Sequence, residues 1–149
     1  MLDLSCNKIS FNGCEAIHEI LTSKYCVLDS LNLSSNRVGH YGAKSIAQAL
    51  SKNRTLVHLD LTRNEIDDNG LKMIAESLET NDNLVSLKLY WNHFGQQSLR
   101  EFYKLAKRKE AESATFWDFK IYGVDLEFQM AYIENNLKYD LSVSKKYYV

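Results

Sequence analysis

Asparagine recurs at Asn7, Asn36, Asn64 and Asn92, at intervals of 29, 28 and 28 residues, and it carries a fixed escort. Leucine stands three residues before each copy (Leu4, Leu33, Leu61, Leu89) and again five before (Leu2, Leu31, Leu59, Leu87). Eight before, where the chain reaches that far, are Leu28, Leu56 and Leu84. Two after come Ile9, Val38, Ile66 and Phe94, and six after come Gly13, Gly42 and Gly70, with Ser98 breaking the column in the fourth copy. Ten after are Ile17, Ile46, Ile74 and Phe102; fourteen after are Leu21, Leu50, Leu78 and Ala106. A period of this length means that one supersecondary unit is stacked on copies of itself, each burying the face its neighbour leaves open.

The apolar period changes inside every copy. Leu56-Val-His-Leu59-Asp-Leu61 places polar residues between buried ones, as a short strand with one buried face does. Leu71, Ile74, Ala75 and Leu78 then follow helical spacing. Gly70 stands where the chain turns into that helix, a place for close packing. A strand and a helix in each copy predict an α/β fold, with parallel strands stacked side by side and helices on the outer face.

The pattern L-x-x-L-x-L-x-x-N, in copies such as Leu56 to Asn83, resembles the ribonuclease-inhibitor-type class of leucine-rich repeats. That class also occurs in nucleotide-sensing innate immune receptors and in the GTPase-activating protein of the nuclear transport GTPase. The resemblance covers residues 1–109, four repeats of 28–29 residues, and implies a curved solenoid, a right-handed βα arc with parallel strands on the concave side and helices on the convex side. Each strand ends in a sharp bend whose backbone groups find no ladder partner. A stacked row of Asn7, Asn36, Asn64 and Asn92, with a donor and an acceptor on every amide, can bond the turns above and below. These four are expected to be structural.

The repeat stops after Lys109, and residues 110–149 form a second region. Phe116-Trp-Asp-Phe-Lys-Ile-Tyr122 and Asp125 to Ile133 alternate loosely around Gly123, which predicts one or two strands. A solenoid end needs an atypical unit to cover its apolar flank, so this region is expected to be a cap followed by a tail; a separate module is the other reading. At the opposite end Met1-Leu2-Asp3-Leu4 already lies in a strand. An uncovered edge invites association. The expectation is an upstream solenoid segment or another chain over it.

Composition narrows the function classes. Eighteen Lys and Arg against nineteen Asp and Glu leave a net charge of -1, which gives no bulk reason to bind nucleic acid. Local charge is uneven: Arg100, Lys104, Lys107, Arg108 and Lys109 face only Glu101 in one ten-residue stretch. That stretch is expected to be a solvated helix face, with a contact to an acidic surface as the alternative. No apolar run reaches the 18 residues of a membrane span. Three crowded cysteines (Cys6, Cys14, Cys26) read as free thiols and point to a cytoplasmic protein. Proline is absent, although average usage of about 5% predicts roughly seven.

Nothing assembles a catalytic constellation. The cysteines show no metal-ligand spacing, and His18, His40, His58 and His93 pair with no nucleophile at a recognisable distance. Cys14 aligns with Ala43, Leu71 and Leu99, as a small core residue would. No enzyme, cofactor or metal is expected. Binding is left, and on the strands the residues flanking the buried leucines point to the concave face. Those columns run Asp3, Asn32, Asp60, Lys88; Ser5, Ser34, Thr62, Tyr90; and Ser30, His58, Ser86. The turn lip reads Cys6, Ser35, Arg63, Trp91. Tyr, Trp and Arg dominate binding hot spots. The candidate partner-binding residues are therefore Asn32, His58, Asp60, Thr62, Arg63, Lys88, Tyr90 and Trp91. Tyr90 and Trp91 have a second reading, packing under the cap.

Two function classes follow. The first is a non-catalytic protein-interaction or scaffold module, which could form one part of a larger assembly. The aromatic D-F-x-I-Y-G-V-D stretch is similar to small leucine-rich-repeat proteins of cilia and flagella, which implies a ciliary, axonemal or cytoskeletal setting. The second is a regulator of an enzyme or small GTPase, as the ribonuclease-inhibitor-like resemblance implies. A receptor-type ligand sensor is a third reading, but it requires further domains.

Overall fold

A computed structural model describes residues 1–112 and 120–122. Strands and helices alternate throughout: β1 (Leu2–Asp3), α1 (Phe11–Thr22), β2 (Ser30–Asn32), α2 (Gly39–Lys52), β3 (His58–Asp60), α3 (Asp68–Ser77), β4 (Ser86–Lys88), α4 (Gln96–Glu112) and β5 (Lys120–Tyr122). The strands form one parallel sheet in chain order, β1-β2-β3-β4-β5. Register follows the repeat, with Leu2 opposite Leu31, Leu31 opposite Leu59, and Leu59 opposite Leu87. Each helix packs on the next, α1 on α2, α2 on α3 and α3 on α4. The solenoid expected from the period is the observed architecture.

One hydrophobic core runs the length of the arc, between sheet and helices. Leu33, Leu56, Leu61, Leu71, Leu87 and Leu89 are fully buried, as are Ile46, Ile66 and Ile74. The glycine column serves close approach: a Cβ on Gly42 would lie 2.9 Å from Cys14 Sγ, and one on Gly70 would lie 3.0 Å from Ala43 Cβ. Small residues at Cys14 and Ala43 thus meet glycine on the following helix. In the fourth copy Ser98 stands in the glycine column, and its buried hydroxyl bonds the Gly95 backbone. The same helix departs at Ala106, which is half-buried, because Leu105 takes the core position.

The asparagine row bonds in one direction, which corrects the expectation of turns above and below. Asn36 Nδ2 donates to the Leu4 carbonyl of the preceding repeat and to Leu33 of its own, both at 2.9 Å, while its Oδ1 accepts from Ile9 N–H at 2.9 Å. Asn64 repeats the reach to Leu33 O (2.9 Å) and Val38 N–H (3.3 Å), and Asn92 to Leu61 O (2.9 Å) and Ile66 N–H (3.0 Å). Each of these three amides binds its own turn and the one before. Asn7, in the first turn, is exposed and donates only to its own Leu4 and Ser5 carbonyls.

A second asparagine pair ties the opposite side of the arc. Asn53 Nδ2 donates to Leu21 O at 2.8 Å and its Oδ1 accepts from Leu56 N–H at 2.8 Å; Asn81 does the same with Leu50 O (2.7 Å) and Leu84 N–H (3.0 Å). Both are buried. In the fourth repeat Arg108 takes over this role, with donors to Glu79 O (2.7 Å) and Leu78 O (3.3 Å).

Helix starts are also shared between repeats. Asp67 caps its own helix through the Gly70 N–H at 2.8 Å. Its neighbour Asp68 caps the next one, accepting from the backbone of Gly95 (3.0 Å), Ser98 (2.8 Å) and Gln97 (3.2 Å). Gly95 leaves room for this cap, since a Cβ there would fall 2.5 Å from the Asp68 carboxyl carbon and push the side chain away. Asp68→Ala is expected to destabilise the domain by about 1–2 kcal/mol, the range of a lost N-cap, as a lowered urea midpoint at unchanged slope. Asn69→Ala, exposed next to it, is the control and should change little.

The C-terminal end is described only in part. α4 runs to Glu112, beyond Lys109 where the repeat pattern ends. β5 falls inside the expected strand of residues 116–122 and pairs parallel to β4, Ile121 opposite Leu87. The expected strand over residues 125–133, the turn at Gly123 and the tail lie outside the described residues.

Candidate functional site

The concave face is built by register. Asp3, Asn32, Asp60 and Lys88 stand side by side across β1 to β4. Asn32 Nδ2 donates to Asp3 Oδ2 at 3.1 Å, and Lys88 Nζ lies 3.6 Å from Asp60 Oδ2. The other oxygens of the row fold back on their own strands: Ser5, Ser34 and Thr62 N–H donate to Asp3, Asn32 and Asp60 at 2.8, 2.9 and 2.9 Å. The Ser5 amide, followed by its hydroxyl, holds the Asp3 carboxyl below the ordinary carboxylate range. Asn32 and Asp60 are therefore half committed to strand exits, and Lys88 is exposed. His58, also exposed, sits between Ser30 and Ser86 in the neighbouring row. Together Asn32, His58, Asp60 and Lys88 line a shallow concave groove.

The turn lip has a conformation of its own. Cys6, Ser35, Arg63 and Trp91, each just before a ladder asparagine, are left-handed with φ of 56°, 57°, 60° and 61°. The bend lets the sheet ladder run on: the N–H groups of Cys6, Ser35 and Arg63 donate to Ser34, Thr62 and Tyr90 carbonyls at 2.9, 2.8 and 2.8 Å. Trp91 is 55% exposed and Tyr90 40%, and the Arg63 guanidinium lies over the Trp91 ring, 5.7 Å from its centroid. A second groove opens beside them, lined by Ser35, Asn36, Arg63, Glu65, Trp91 and His93.

The eight candidate binding residues thus divide. Asn32, His58, Asp60 and Lys88 share the concave groove, Arg63 and Trp91 share the lip groove, and Thr62 and Tyr90 stand in the strand-exit column between. Glu65 and His93 join the lip although the sequence reading does not single them out. Their column (Lys8, Arg37, Glu65, His93) does carry a signal, being polar in all four copies. The His40–Asp67 contact, Nδ1 to Oδ1 at 3.0 Å, also spans two repeats. Burial pushes the Asp67 carboxyl up, but the Gly70 amide and His40 outweigh it and hold the pKa below the ordinary value.

Chemistry at the cysteines is governed by burial. Cys14 is fully buried, and desolvation pushes its thiol up to about 11, which leaves no thiolate near neutral pH. Cys6 is exposed and Cys26 intermediate. Thiol labelling of the native protein should give a fast phase from Cys6 and a slower one from Cys26, with Cys14 reacting only on unfolding; mass-mapped labelling with iodoacetamide checks the order. Among the described residues no group of three or more His, Cys, Asp or Glu could hold a metal ion. No helix among them is long and apolar enough to cross a membrane.

Comparison with known proteins agrees with this architecture. A family profile described as "Leucine Rich repeat" matches residues 2–17, 26–47 and 52–75. The solved structure of "Leiomodin-1 Actin-Binding Site 2 (ABS2)" superposes with a TM-score of 0.66 at 22% sequence identity, covering 97% of this chain and 83% of that one. At that identity the likeness is one of fold. No curated protein matches the sequence.

Proposed function

Because this chain is an arc of leucine-rich repeats, we propose that it is a non-catalytic protein-interaction module whose partner lies across the concave face and the turn lip. One observation carries the reading: Tyr90 and Trp91 are exposed where earlier copies hold Ser5, Ser34 and Thr62, or Cys6, Ser35 and Arg63. The fold does not need aromatic rings at those columns. Exposed aromatic side chains beside Arg63 and Lys88 make the composition of a hot spot. In this proposal residues 1–109 are the recognition arc and 110–149 close its end, a division supported by β5 adding to β4. The structural neighbour is an actin-binding site by name, so actin is the first partner to try and the cytoskeleton the first place to look; a ciliary assembly is a narrower version of the same reading.

A photo-crosslinking residue placed at Tyr90 tests this against one at Lys44, exposed on the outer side of α2. With purified actin, crosslinks from position 90 and none from 44 support the reading. Crosslinks from 44 alone would move the interface to the helices and overturn it. Purified candidate GTPases form a parallel arm, read as GTP hydrolysis, and stimulation there would replace a passive module with a regulator.

A further inference from the structure

We propose that the lip groove receives an extended segment of a partner protein that carries a single acidic residue, with Arg63 as the fork that takes its carboxylate and Trp91 as the platform for the residue beside it. The proposal rests on the interaction reading above and names the chemistry of the partner.

Arg63 has a left-handed backbone at φ 60°, and its N–H donates to Tyr90 O at 2.8 Å, so its side chain starts from the lip in the same backbone setting as Cys6, Ser35 and Trp91. The guanidinium is then held against the Trp91 ring at 5.7 Å. A cation near an aromatic face is attracted by the ring without spending an N–H donor, so the guanidinium N–H groups stay available to grip a carboxylate with two parallel bonds. Among the described residues Arg63 has no ion pair and no side-chain hydrogen bond, whereas Lys88 is already engaged by Asp60 at 3.6 Å. Arg63 is thus a cation of the lip groove whose hydrogen-bonding capacity is unspent among the described residues. Arg37, exposed one repeat earlier on the same exit side, adds positive charge.

Glu65 sets the pattern of the ligand. It lines the same groove, two residues from Arg63 and also left-handed at φ 55°. A second carboxylate placed near it would be repelled, which favours a single acidic residue followed by an aromatic or aliphatic one. Trp91, more than half exposed, offers that neighbour apolar area and a ring face.

The experiment follows the Trp91 indole N–H by NMR, assigned with Trp91→Phe, during titration with capped tetrapeptides. Ser-Glu-Phe-Ser is the probe; Ser-Gln-Phe-Ser and Ser-Lys-Phe-Ser are its controls. The glutamate peptide should shift the indole signal saturably and bind about three- to fivefold more tightly than the glutamine peptide, the size of a solvent-exposed ion pair in good geometry. Arg63→Lys keeps the charge but loses the fork and should forfeit most of that difference. Glu65→Gln should tighten the glutamate peptide about two- to threefold, a gain that misfolding cannot imitate. Equal binding of glutamate and glutamine peptides, or an unaffected Arg63→Lys, overturns the proposal. So does a thymidine octanucleotide that binds more tightly than the peptide, since the groove would then answer to polyanions. If the peptides fail while crosslinks from position 90 persist, the acidic-segment proposal falls and the interaction reading stands; if both fail, both fall.

Discussion

Asn92→Ala should cost the domain about 3–5 kcal/mol, from the penalty on each buried polar group it orphans. The buried amide accepts from the N–H of Asn64 (3.2 Å) and Ile66 (3.0 Å) and donates to the carbonyls of Leu61 (2.9 Å) and Leu89 (3.0 Å). Alanine leaves all four backbone groups without a partner, in two repeats at once. The total is below four full penalties because water can reach part of the lip. Chemical denaturation gives the number, and faster amide exchange at Asn64 and Ile66 would locate it. Asn7→Ala is the internal comparison: its bonds are local and exposed, so the change should stay within about 0.5 kcal/mol. Equal costs at the two positions would show that the asparagine row does not hold neighbouring turns.

Phe102→Ala is the second large effect, expected at about 3–5 kcal/mol. The ring is completely buried in α4 and meets Phe94 with centroids 6.0 Å apart. It stands in the column that earlier copies fill with Ile17, Ile46 and Ile74, so the last repeat fills its core with a larger side chain. Truncation removes apolar burial and leaves a cavity that Leu99 and Leu105, on the same helix, cannot close. At roughly 3 °C per kcal/mol for a chain of this size, the melting temperature should drop by about 10–15 °C. Phe102→Leu keeps most of the volume and should lose about 1.5 kcal/mol or less. A Phe102→Ala loss as small as that would mean that α4 is not part of the continuous core.

Much of this architecture is legible in the repeat, because period and residue type act through the same physics in every copy. Leu31, Leu59 and Leu87 face inward in register since their spacing equals one full turn of the arc. What escapes the sequence depends on contacts between columns. Asn53 and Asn81 form a second buried ladder, yet only two copies show it and Arg108 replaces the third, so no column of four exists to notice. Asp68 caps a helix one repeat away, while the matching residues Phe11, His40 and Gln96 differ. The backward reach of the asparagines cannot be read from their spacing, which is symmetric. At the candidate site the aromatic residues of the lip are visible in sequence, but their exposure, the placing of the Arg63 guanidinium near the Trp91 ring and the company of Glu65 and His93 follow from the strand-exit geometry.

The left-handed lip column also accounts for part of the missing proline, whose ring holds φ near -65° and cannot occupy such a bend. It has a wider consequence. Cys6, Ser35, Arg63 and Trp91 adopt the same backbone with four unrelated side chains, so the bend accepts varied chemistry as long as the residue is neither proline nor β-branched. The fold has, in effect, a row of sockets in which chemistry can be exchanged without renegotiating the scaffold. Such a row is where one would randomise residues to retarget the arc, and where related arcs would be expected to diverge first.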